Sequence, residues 1–513
     1  MKPSTELFKL IKSLSKSEKR FFKLSSSLQG GDKNYLKIFD LIEKQSEYSE
    51  DELKEVFAKE TFIKHLPSEK NHLYKLILKS LRSFYSEQSV ISLLKQEMKN
   101  IEILYNKALY KECEKFVSRA KEIARDYEKF YYWFELIAWE KKLLEEAYES
   151  GEFTTNLDEL IEEEELVIAK LRNLAEYQVI YSKINLVFRS GGFTRDEAER
   201  KVVDGIADYH LIKGKNTAIS TRAASMCYYI KGLCAATNRN YEDSYQFFNR
   251  TREILDNNPK IKDDSQQRYV MTLAHLLRCY IDGKQFDNAQ KMIEDIRAIE
   301  SKKGGNSMDI QVRLFTSSYA QELTLLHAMG EFQKSVDLIP RIEELQMFFG
   351  EKINKEQEVI LTYKKAYSYF GIGNYKKALF YVNNVLNDNE QQLRQDIYSF
   401  LRLFNLVLHF ELENYDFLEY VIKSTNRFLT KQERDFEAET ICIKHIKKLA
   451  KTNSISEKTS NLQQLKKELN DVMKNKSESV LLEYINISAW VDSKINKVSF
   501  AESVKAELKL LKI

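Results

Sequence analysis

Histidine and cysteine, the side chains most able to bind a metal or act as nucleophiles, are scattered singly through this sequence. The seven histidines form no His-Glu-x-x-His pair, the spacing that places two zinc ligands on one helix face. The five cysteines form no Cys-x-x-Cys pair, and Cys227 and Cys234 lie seven positions apart, about two helical turns. Such cysteines are typical of buried free thiols in a reducing compartment. We therefore predict no metal site and no cofactor.

Motifs that bind phosphate or build a nucleophilic centre are incomplete. The stretch Gly214–Thr217 (Gly-Lys-Asn-Thr) resembles the end of a phosphate-binding loop, but Tyr209 stands where that loop requires a glycine. The sequence contains no Gly-x-Ser-x-Gly elbow, and the acidic run Glu162–Glu165 is typical of a solvated helix face. We therefore assign no catalytic residue and expect that the protein is not an enzyme.

The composition favours long helices. The 513 residues include 4 Pro and 15 Gly, whereas average usage would give about 25 Pro and about 36 Gly in this length. Helix interiors exclude both residues, so their scarcity predicts an all-α fold. The charged residues, Lys+Arg 80 and Asp+Glu 77, leave a net charge of +3. This balance does not favour a protein that binds nucleic acid through its bulk charge.

The sequence offers no membrane anchor. It contains no run of about 18 apolar residues, the length that a transmembrane helix needs. The residues that follow Met1 lack the apolar segment of a signal peptide. We therefore expect a cytoplasmic protein that does not associate with a membrane. Lysine far outnumbers arginine, which is typical of AT-rich bacterial genomes and suggests a bacterial origin.

The clearest pattern in the chain is a helical hairpin over residues 363–386. Ala366 is a small residue in the first helical stripe, and Gly373 marks a turn. Tyr375 then opens a second helix, and the small Ala378 follows three positions later. Two antiparallel helices cross closely only where small side chains let their backbones approach. This order of residues resembles a tetratricopeptide repeat.

The same order recurs at steps of 40–48 residues. The residues that open the second helix of each unit are Tyr110, Phe153, Phe193, Tyr241, Phe286, Phe332, Tyr375 and Tyr415, with Ile455 as a degenerate ninth. In five units a small residue follows three positions later, namely Cys113, Ser244, Ala289, Ser335 and Ala378. A single hairpin cannot bury its own apolar face, so neighbouring hairpins are expected to stack.

The resemblance implies a divergent α-solenoid of antiparallel tetratricopeptide-like hairpins, about eight or nine in number. Its step is longer than the standard repeat of about 34 residues, so the helices or the linkers must be longer. We expect three parts: an N-terminal helical region over residues 1–90, the solenoid over residues 91–475, and C-terminal capping helices over residues 476–513.

In the tetratricopeptide family, the first helix of each hairpin lines a concave groove that holds a partner. The register of this sequence places the following residues in that groove: Tyr181, Asn185, Tyr229, His275, Arg278, Gln321, His327, Tyr363, Lys364, Tyr367 and Phe370. Tyrosine and arginine commonly anchor protein interfaces. The resemblance therefore implies a scaffold that binds a peptide or protein segment. Packing between hairpins is an alternative role for several of these aromatic residues.

Residues 1–90 do not fit the repeat. Ser15 and Glu18 have the spacing of a capping box, and Pro67 opens a long helix over Glu69–Tyr85. Three helices followed by a basic one loosely resemble a helix-turn-helix module, whose last helix contacts phosphates and base edges. The residues on that last helix that would contact nucleic acid are Lys70, His72, Lys75, Lys79 and Arg82.

This layout gives the alternative function, which is a ligand- or peptide-responsive regulator whose N-terminal module binds nucleic acid. A simpler role for the same helix is to cap the first hairpin. In that case Leu73 and Ile77 would belong to its buried stripe, and the basic residues would be its solvated face.

Overall fold

The computed structural model describes residues 5–27, 34–86, 88–150, 157–195, 197–301, 307–388, 394–432, 434 and 436–510. Every regular element in these ranges is helical and none is a strand, so the predicted all-α class is confirmed. None of the helices in these ranges is both long and apolar enough to cross a membrane.

The chain forms two compact units, Met1–Glu164 and Glu165–Ile513. This division differs from the expected one, because it falls inside the region assigned to the repeats. The C-terminal region, expected as a separate cap over residues 476–513, belongs to the second unit.

The first unit consists of a group of short helices followed by longer ones. Its helices are α1 (Glu6–Ser13), α2 (Lys16–Ser27), α3 (Asn34–Lys44), α4 (Glu50–Val56), α5 (Leu66–Phe84), α6 (Val90–Asn106), α7 (Tyr110–Asp126) and α8 (Phe130–Ser150). Helix α5 packs against α1, α2 and α3 and buries Leu73 and Ile77 completely. The predicted capping box is present, since the Glu18 backbone N–H donates to Ser15 Oγ at 3.2 Å and the Ser15 N–H donates to the Glu18 carboxylate.

The second unit consists of paired helices and a C-terminal segment. Its helices are α9 (Leu157–Gly191, which begins just before the unit), α10 (Glu197–Ala207), α11 (His210–Lys213), α12 (Thr221–Thr237), α13 (Tyr241–Asp256), α14 (Pro259–Asp264), α15 (Gln266–Asp282), α16 (Phe286–Arg297), α17 (Met308–Ala328), α18 (Phe332–Phe349), α19 (Lys355–Gly371), α20 (Tyr375–Leu386), α21 (Gln395–Glu411), α22 (Tyr415–Lys431), α23 (Glu437–Lys451), α24 (Ile455–Val472), α25 (Ile487–Asn496) and α26 (Phe500–Leu510). We call α12, α15, α17, α19, α21 and α23 the first helices of their hairpins. Each packs against the helix that follows it, and α15, α17, α19, α21 and α23 also pack side by side in sequence.

Seven of the nine predicted second-helix starts are confirmed. The helices begin at the expected residue at Tyr110, Tyr241, Phe286, Phe332, Tyr375, Tyr415 and Ile455. Phe153 lies outside the described residues. The prediction for Phe193 is wrong, because the chain stays irregular between α9 and α10 and the ring of Phe193 packs edge-on against Tyr484, with 6.4 Å between centroids.

A left-handed residue closes the turns before α7, α8, α13, α16, α18, α20 and α22. It lies two positions before the next helix, as Ala108, Glu128, Arg239, Lys284, Gly330, Gly373 and Glu413. In each turn the following N–H donates to a carbonyl five residues earlier, which satisfies a free carbonyl at the end of the first helix; at Gly373 the bond runs from Asn374 to Tyr369 at 2.9 Å. Glycine tolerates a positive φ without cost, but only two of the seven residues are glycines.

Small residues allow the helices within and between hairpins to approach closely. The five small residues expected at the crossings, from Cys113 to Ala378, are all buried. Two glycines on first helices lie in even closer contact with a neighbouring aromatic ring. A Cβ on Gly232 would lie 2.7 Å from the ring of Phe248, and one on Gly371 would overlap the ring of Phe332. Phe332 is 1% exposed, so its ring has no free space to move into.

We expect Gly371→Ala to lower the free energy of unfolding by about 1–3 kcal/mol, the usual cost of overpacking a core. Gly205→Ala is the matched control, because Gly205 lies within α10 with no atom within 4 Å of an added Cβ. The control should be stabilised by about 0.5–1 kcal/mol, since alanine favours a helix interior over glycine. Urea denaturation midpoints measure both effects. Midpoints that shift in the same direction would contradict the close contact at Gly371.

Candidate functional site

The predicted groove residues all lie on α9 or on the first helices, but none of them is exposed. Those that are fully buried are Tyr229, His327, Tyr363, Tyr367 and Phe370. Those that are partly exposed are Tyr181, Asn185, His275, Arg278, Gln321 and Lys364. A second division depends on what covers these residues: some lie beneath the C-terminal segment, and others lie around Arg268 on α15.

The chain's own C-terminal segment, residues 476–510, covers Tyr363, Tyr367 and Phe370. The Tyr363 hydroxyl donates to the Tyr484 carbonyl, and the Asn486 N–H donates to the Tyr367 hydroxyl at 3.1 Å. The ring of Phe370 lies 4.9 Å from the ring of Phe500. These groove residues are therefore part of a core that the chain completes by itself.

A buried carboxylate anchors this segment to two earlier hairpins. Glu483 pairs with Arg239 at 2.9 Å and accepts a hydrogen bond from Arg278 at 2.6 Å and from the Tyr241 hydroxyl at 2.5 Å. Burial alone would raise the pKa of Glu483, but Arg278 and Arg239 outweigh it and hold that pKa below its usual value. Arg278, predicted as a groove residue, is thus engaged within the chain, with Asp282 as a second partner at 2.8 Å.

A second polar contact holds the next residue of the segment. The Tyr484 hydroxyl donates to Asp396, and Asp396 pairs with Arg394 at 2.6 Å. The Tyr484 ring stacks on Phe400 with 3.9 Å between centroids. Burial raises the pKa of Asp396, yet the adjacent Arg394 guanidinium brings it below its ordinary value.

The segment was expected to cap only the last apolar face of the repeats. It does contain helices, and the Trp490 indole donates to Glu411 at 2.6 Å on α21. It also reaches much earlier helices, since the ring of Phe500 lies 5.4 Å from that of Phe332 on α18. Its acidic and aromatic residues complement arginines and aromatics far away in sequence, and periodicity cannot reveal such pairs.

The second group of groove residues surrounds an arginine that the sequence did not single out. The Arg268 guanidinium lies 4.4 Å from the ring centre of Tyr181 and 4.5 Å from that of Tyr229. The Tyr229 hydroxyl lies 3.2 Å from Nε2 of His275. Burial, together with the charge of Arg268, lowers the pKa of His275 to about 4, so its ring is neutral at pH 7. We call these four residues the arginine–tyrosine cluster.

Two buried polar atoms on neighbouring first helices have no hydrogen-bond partner among the described residues. They are Nη1 of Arg268 on α15 and Oε1 of Gln321 on the adjacent α17. A buried polar atom without a partner costs about 1–3 kcal/mol, so these atoms favour a ligand or solvent that satisfies them. Arg268 was identifiable in principle, because it precedes His275 by seven positions and so lies on the same helix face.

Positive charge accumulates on the same helices. Within the described ranges neither Arg268 nor Arg313 forms an ion pair, and Lys364 donates only to Thr324 Oγ1 at 2.6 Å. Burial and the neighbouring Arg278 and Arg394 lower the pKa of Lys364 to about 7. A neighbouring anion would restore its charge.

Two further groove residues lie apart from these cations. Asn185 is partly exposed one turn beyond Tyr181, and His327 is buried, with its Nε2 2.7 Å from the Ser368 hydroxyl.

The basic residues predicted on α5 fall into two sets, one with partners in the first unit and one that is exposed. Lys70 pairs with Glu50 and donates to the Tyr48 hydroxyl at 3.0 Å, so it belongs to the packing of the first unit. The others are exposed, and the described part of the chain provides them with no ion-pair partner: His72, Lys75, Lys79 and Arg82. Their spacing of three, four and three residues forms one stripe, opposite the buried Leu73 and Ile77.

Potential catalytic or metal-binding groups are not assembled in the described residues. No three His, Cys, Asp or Glu side chains are placed there to hold a metal ion. All five cysteines are free thiols, and four of them are buried, Cys279 being partly exposed. Burial raises the pKa of Cys234 to about 12, which makes it a poor nucleophile at neutral pH.

We expect Glu483→Gln to destabilise the second unit by about 2 kcal/mol at pH 7, because it leaves Arg239 and Arg278, both largely buried, without their shared carboxylate. The folded-state pKa of Glu483 is lowered, so its contribution is present above the ordinary carboxyl pKa of about 4 and is lost as pH falls below it. The urea midpoints of the wild type and the variant should therefore converge between pH 7 and pH 3.

The exposed Glu419, 3.9 Å from Lys451, provides the control, and Glu419→Gln should change the free energy of unfolding by less than about 0.5 kcal/mol. A wild-type advantage over Glu483→Gln that persists unchanged at pH 3 would contradict the role of the ionised carboxylate.

Similarity to known proteins does not identify the site. No protein-family model matches the chain, and no curated protein is significantly similar to it. A function must therefore be inferred from the chain's own features, namely the arginine–tyrosine cluster, the C-terminal segment and the α5 stripe.

Proposed function

We propose that this chain is a cytoplasmic interaction scaffold, a tetratricopeptide-like α-solenoid that binds a peptide or protein segment on its first helices. The binding region is the part that the C-terminal segment leaves uncovered, around the arginine–tyrosine cluster, Asn185 and Gln321. The observation that carries this proposal is the pair of buried atoms without partners, Arg268 Nη1 and Gln321 Oε1. They need hydrogen bonds that the described residues do not provide.

The recurring hairpins support the solenoid interpretation. Second helices begin at the expected residues, and consecutive first helices pack side by side from α15 to α23. A surface built on stacked helices is rigid before it binds, so an extended segment that docks there loses mainly its own entropy. Tyr181 and Tyr229, whose rings both lie against Arg268, provide apolar area next to a charged donor, a combination common at the centre of interfaces.

The surplus of cations indicates a segment that carries a carboxylate. Arg268 and Arg313 have no ion-pair partner in the part of the chain that the structure describes, whereas Arg222 and Arg278 on the same set of helices do. The hairpins already hold one carboxylate of the chain itself, because Glu483 is bound by Arg278 on a first helix and by Arg239 and the Tyr241 hydroxyl at the α12–α13 turn. Arginine–carboxylate pairs of this kind are strong and directional.

Affinity capture with matched variants tests the scaffold. Arg268→Met with Gln321→Met removes the unpaired polar atoms and keeps side chains of similar volume at both positions. Partner proteins captured by the tagged wild type should fall about tenfold with this double variant, the effect of removing about 1.4 kcal/mol of binding energy. Lys291→Met, on the exposed face of α16, is the control and should leave capture unchanged.

Two outcomes would contradict the proposal. One is that no protein is captured specifically by the wild type. The other is that the same proteins are captured equally by the double variant, which would place their binding surface elsewhere. Circular dichroism of the double variant checks that the helices remain intact.

The exposed stripe on α5 favours a second candidate, a regulator whose N-terminal unit binds nucleic acid. His72, Lys75, Lys79 and Arg82 share one face with no ion-pair partner in the described ranges, as phosphate-binding residues require. Lys70 does not contribute, because Glu50 and Tyr48 already hold it.

Fluorescence anisotropy with a DNA duplex and a single-stranded RNA tests this candidate. Binding should weaken with salt, and removing one phosphate-binding cation should reduce the slope of log K against log salt by about 0.9 on duplex DNA. Substituting Lys75, Lys79 and Arg82 by alanine should abolish the binding. Alanine at the exposed Lys95, Lys107 and Lys115 of the same unit is the control and should retain it. Absence of binding by the wild type at low salt would exclude the candidate.

A further inference from the structure

A cavity of about 240 Å³ lies within the second unit where three separate segments meet. Thr194 and Arg200 come from the linker after α9 and from α10, and Asn238 and Arg239 come from the turn between α12 and α13. Lys476 comes from the start of the C-terminal segment. We call this space the seam cavity. It is separate from the arginine–tyrosine cluster.

The seam cavity is lined by three cations, and two of them have no ion-pair partner among the described residues. Arg200 is exposed and donates to Ser477 Oγ at 3.2 Å, and Lys476 is exposed as well. The third cation, Arg239, is paired with Glu483. Since Glu483 is also held by Arg278, its charge does not neutralise Arg200 or Lys476.

The walls between these cations are fixed by hydrogen bonds. Thr194 is buried, and its hydroxyl donates to Asn238 Oδ1 at 3.0 Å. The Asn238 amide in turn donates to Asp204 at 3.2 Å. Arg239 donates to the Lys476 carbonyl at 3.1 Å and to Ser479 Oγ at 2.7 Å, so the same arginine positions the C-terminal side of the cavity.

We propose that the seam cavity binds a small phosphate-type anion, either phosphate or pyrophosphate. Arginine and lysine are the side chains that bind phosphate groups, and here they converge on one concave space from three directions. The volume lies below the range of about 300–1,000 Å³ that is usual for pockets that hold drug-sized ligands, which excludes a nucleotide held entirely within it. The anion joins Arg200 on α10 to Lys476 on the C-terminal segment, and so fastens that segment to the hairpins.

Isothermal titration calorimetry of the full chain tests the site with pyrophosphate, phosphate and sulfate at constant ionic strength. One equivalent of pyrophosphate should bind more tightly than phosphate, because it can contact more of the cations at once. Arg200→Ala and Lys476→Ala should each weaken binding about tenfold, the effect expected for removing one charge-assisted hydrogen bond. Lys474→Ala is the control, because Lys474 is exposed nearby but paired with Asp471 at 2.8 Å, and it should bind like the wild type.

Thermal unfolding gives an independent measurement, because a ligand that binds only the folded state raises the midpoint. Pyrophosphate should raise the Tm of the wild type and of Lys474→Ala, and it should not raise that of the double variant Arg200→Ala/Lys476→Ala. The proposal is overturned if the wild type shows neither heat nor a Tm shift at millimolar pyrophosphate. It is also overturned if the double variant responds as the wild type does, since the anion then binds elsewhere. Neither result bears on the peptide-binding region.

Discussion

The hairpins of the second unit depend on one constraint: the two helices of a hairpin must cross closely enough that no cavity remains between them. Small residues such as Ala289 and Ala378 meet this constraint within a hairpin. Glycine meets it where an aromatic ring lies directly against a first helix, as Phe248 does at Gly232. The left-handed turn then fixes where the second helix begins, and the aromatic residue at that point enters the space beside the crossing. A larger residue at the crossing would therefore also disrupt the stacking of neighbouring hairpins.

The close stacking produces a row of first helices. Some of the polar residues on this row have partners within the chain, and others do not. Where the C-terminal segment lies, arginines such as Arg278 and Arg394 have carboxylate partners and the tyrosines are hydrogen-bonded. Arg268 and Arg313 have no carboxylate partner among the described residues, although Arg268 lies against two tyrosine rings. The same row of helices thus contains one region whose hydrogen-bond donors are paired within the chain and another region whose arginine donors have no carboxylate partner among the described residues. The second region is where an external partner is proposed to dock.

The sequence predicted the local structure well, because local structure depends on residues that are close in the chain. An aromatic residue followed by a small one located most second helices to the exact residue, and the capping box at Ser15 formed as expected. The turns were less visible, since residues such as Glu413 and Lys284 adopt the left-handed conformation without a glycine to mark it. Short helix α1 was not foreseen, although Leu7, Leu10 and Ile11 follow helical spacing, because it spans only eight residues.

The candidate site was harder to predict, because contacts between residues far apart in the sequence decide which of its side chains already have partners. The groove residues lie on α9 and the first helices, yet nothing near Tyr363 or Tyr367 in the sequence indicates that residues 484 and 486 will form hydrogen bonds with them. The same holds for Lys70, whose partner Glu50 lies twenty positions away. Charge pairing of this kind follows from the assembled fold and leaves no periodic trace in the sequence.

The position of the C-terminal segment has a consequence for the order of folding during synthesis. Hairpins can form one after another as the chain leaves the ribosome, because most of their contacts are local. Glu483, however, pairs with Arg239, a residue made 244 positions earlier. Between the synthesis of Tyr363 and Phe370 and that of their partners Tyr484 and Phe500, these aromatic side chains remain uncovered, so the nascent chain presents an exposed aromatic surface during that part of its translation. A premature stop codon near the end would leave that surface permanently open and would produce an aggregation-prone protein with nearly all of its helices intact.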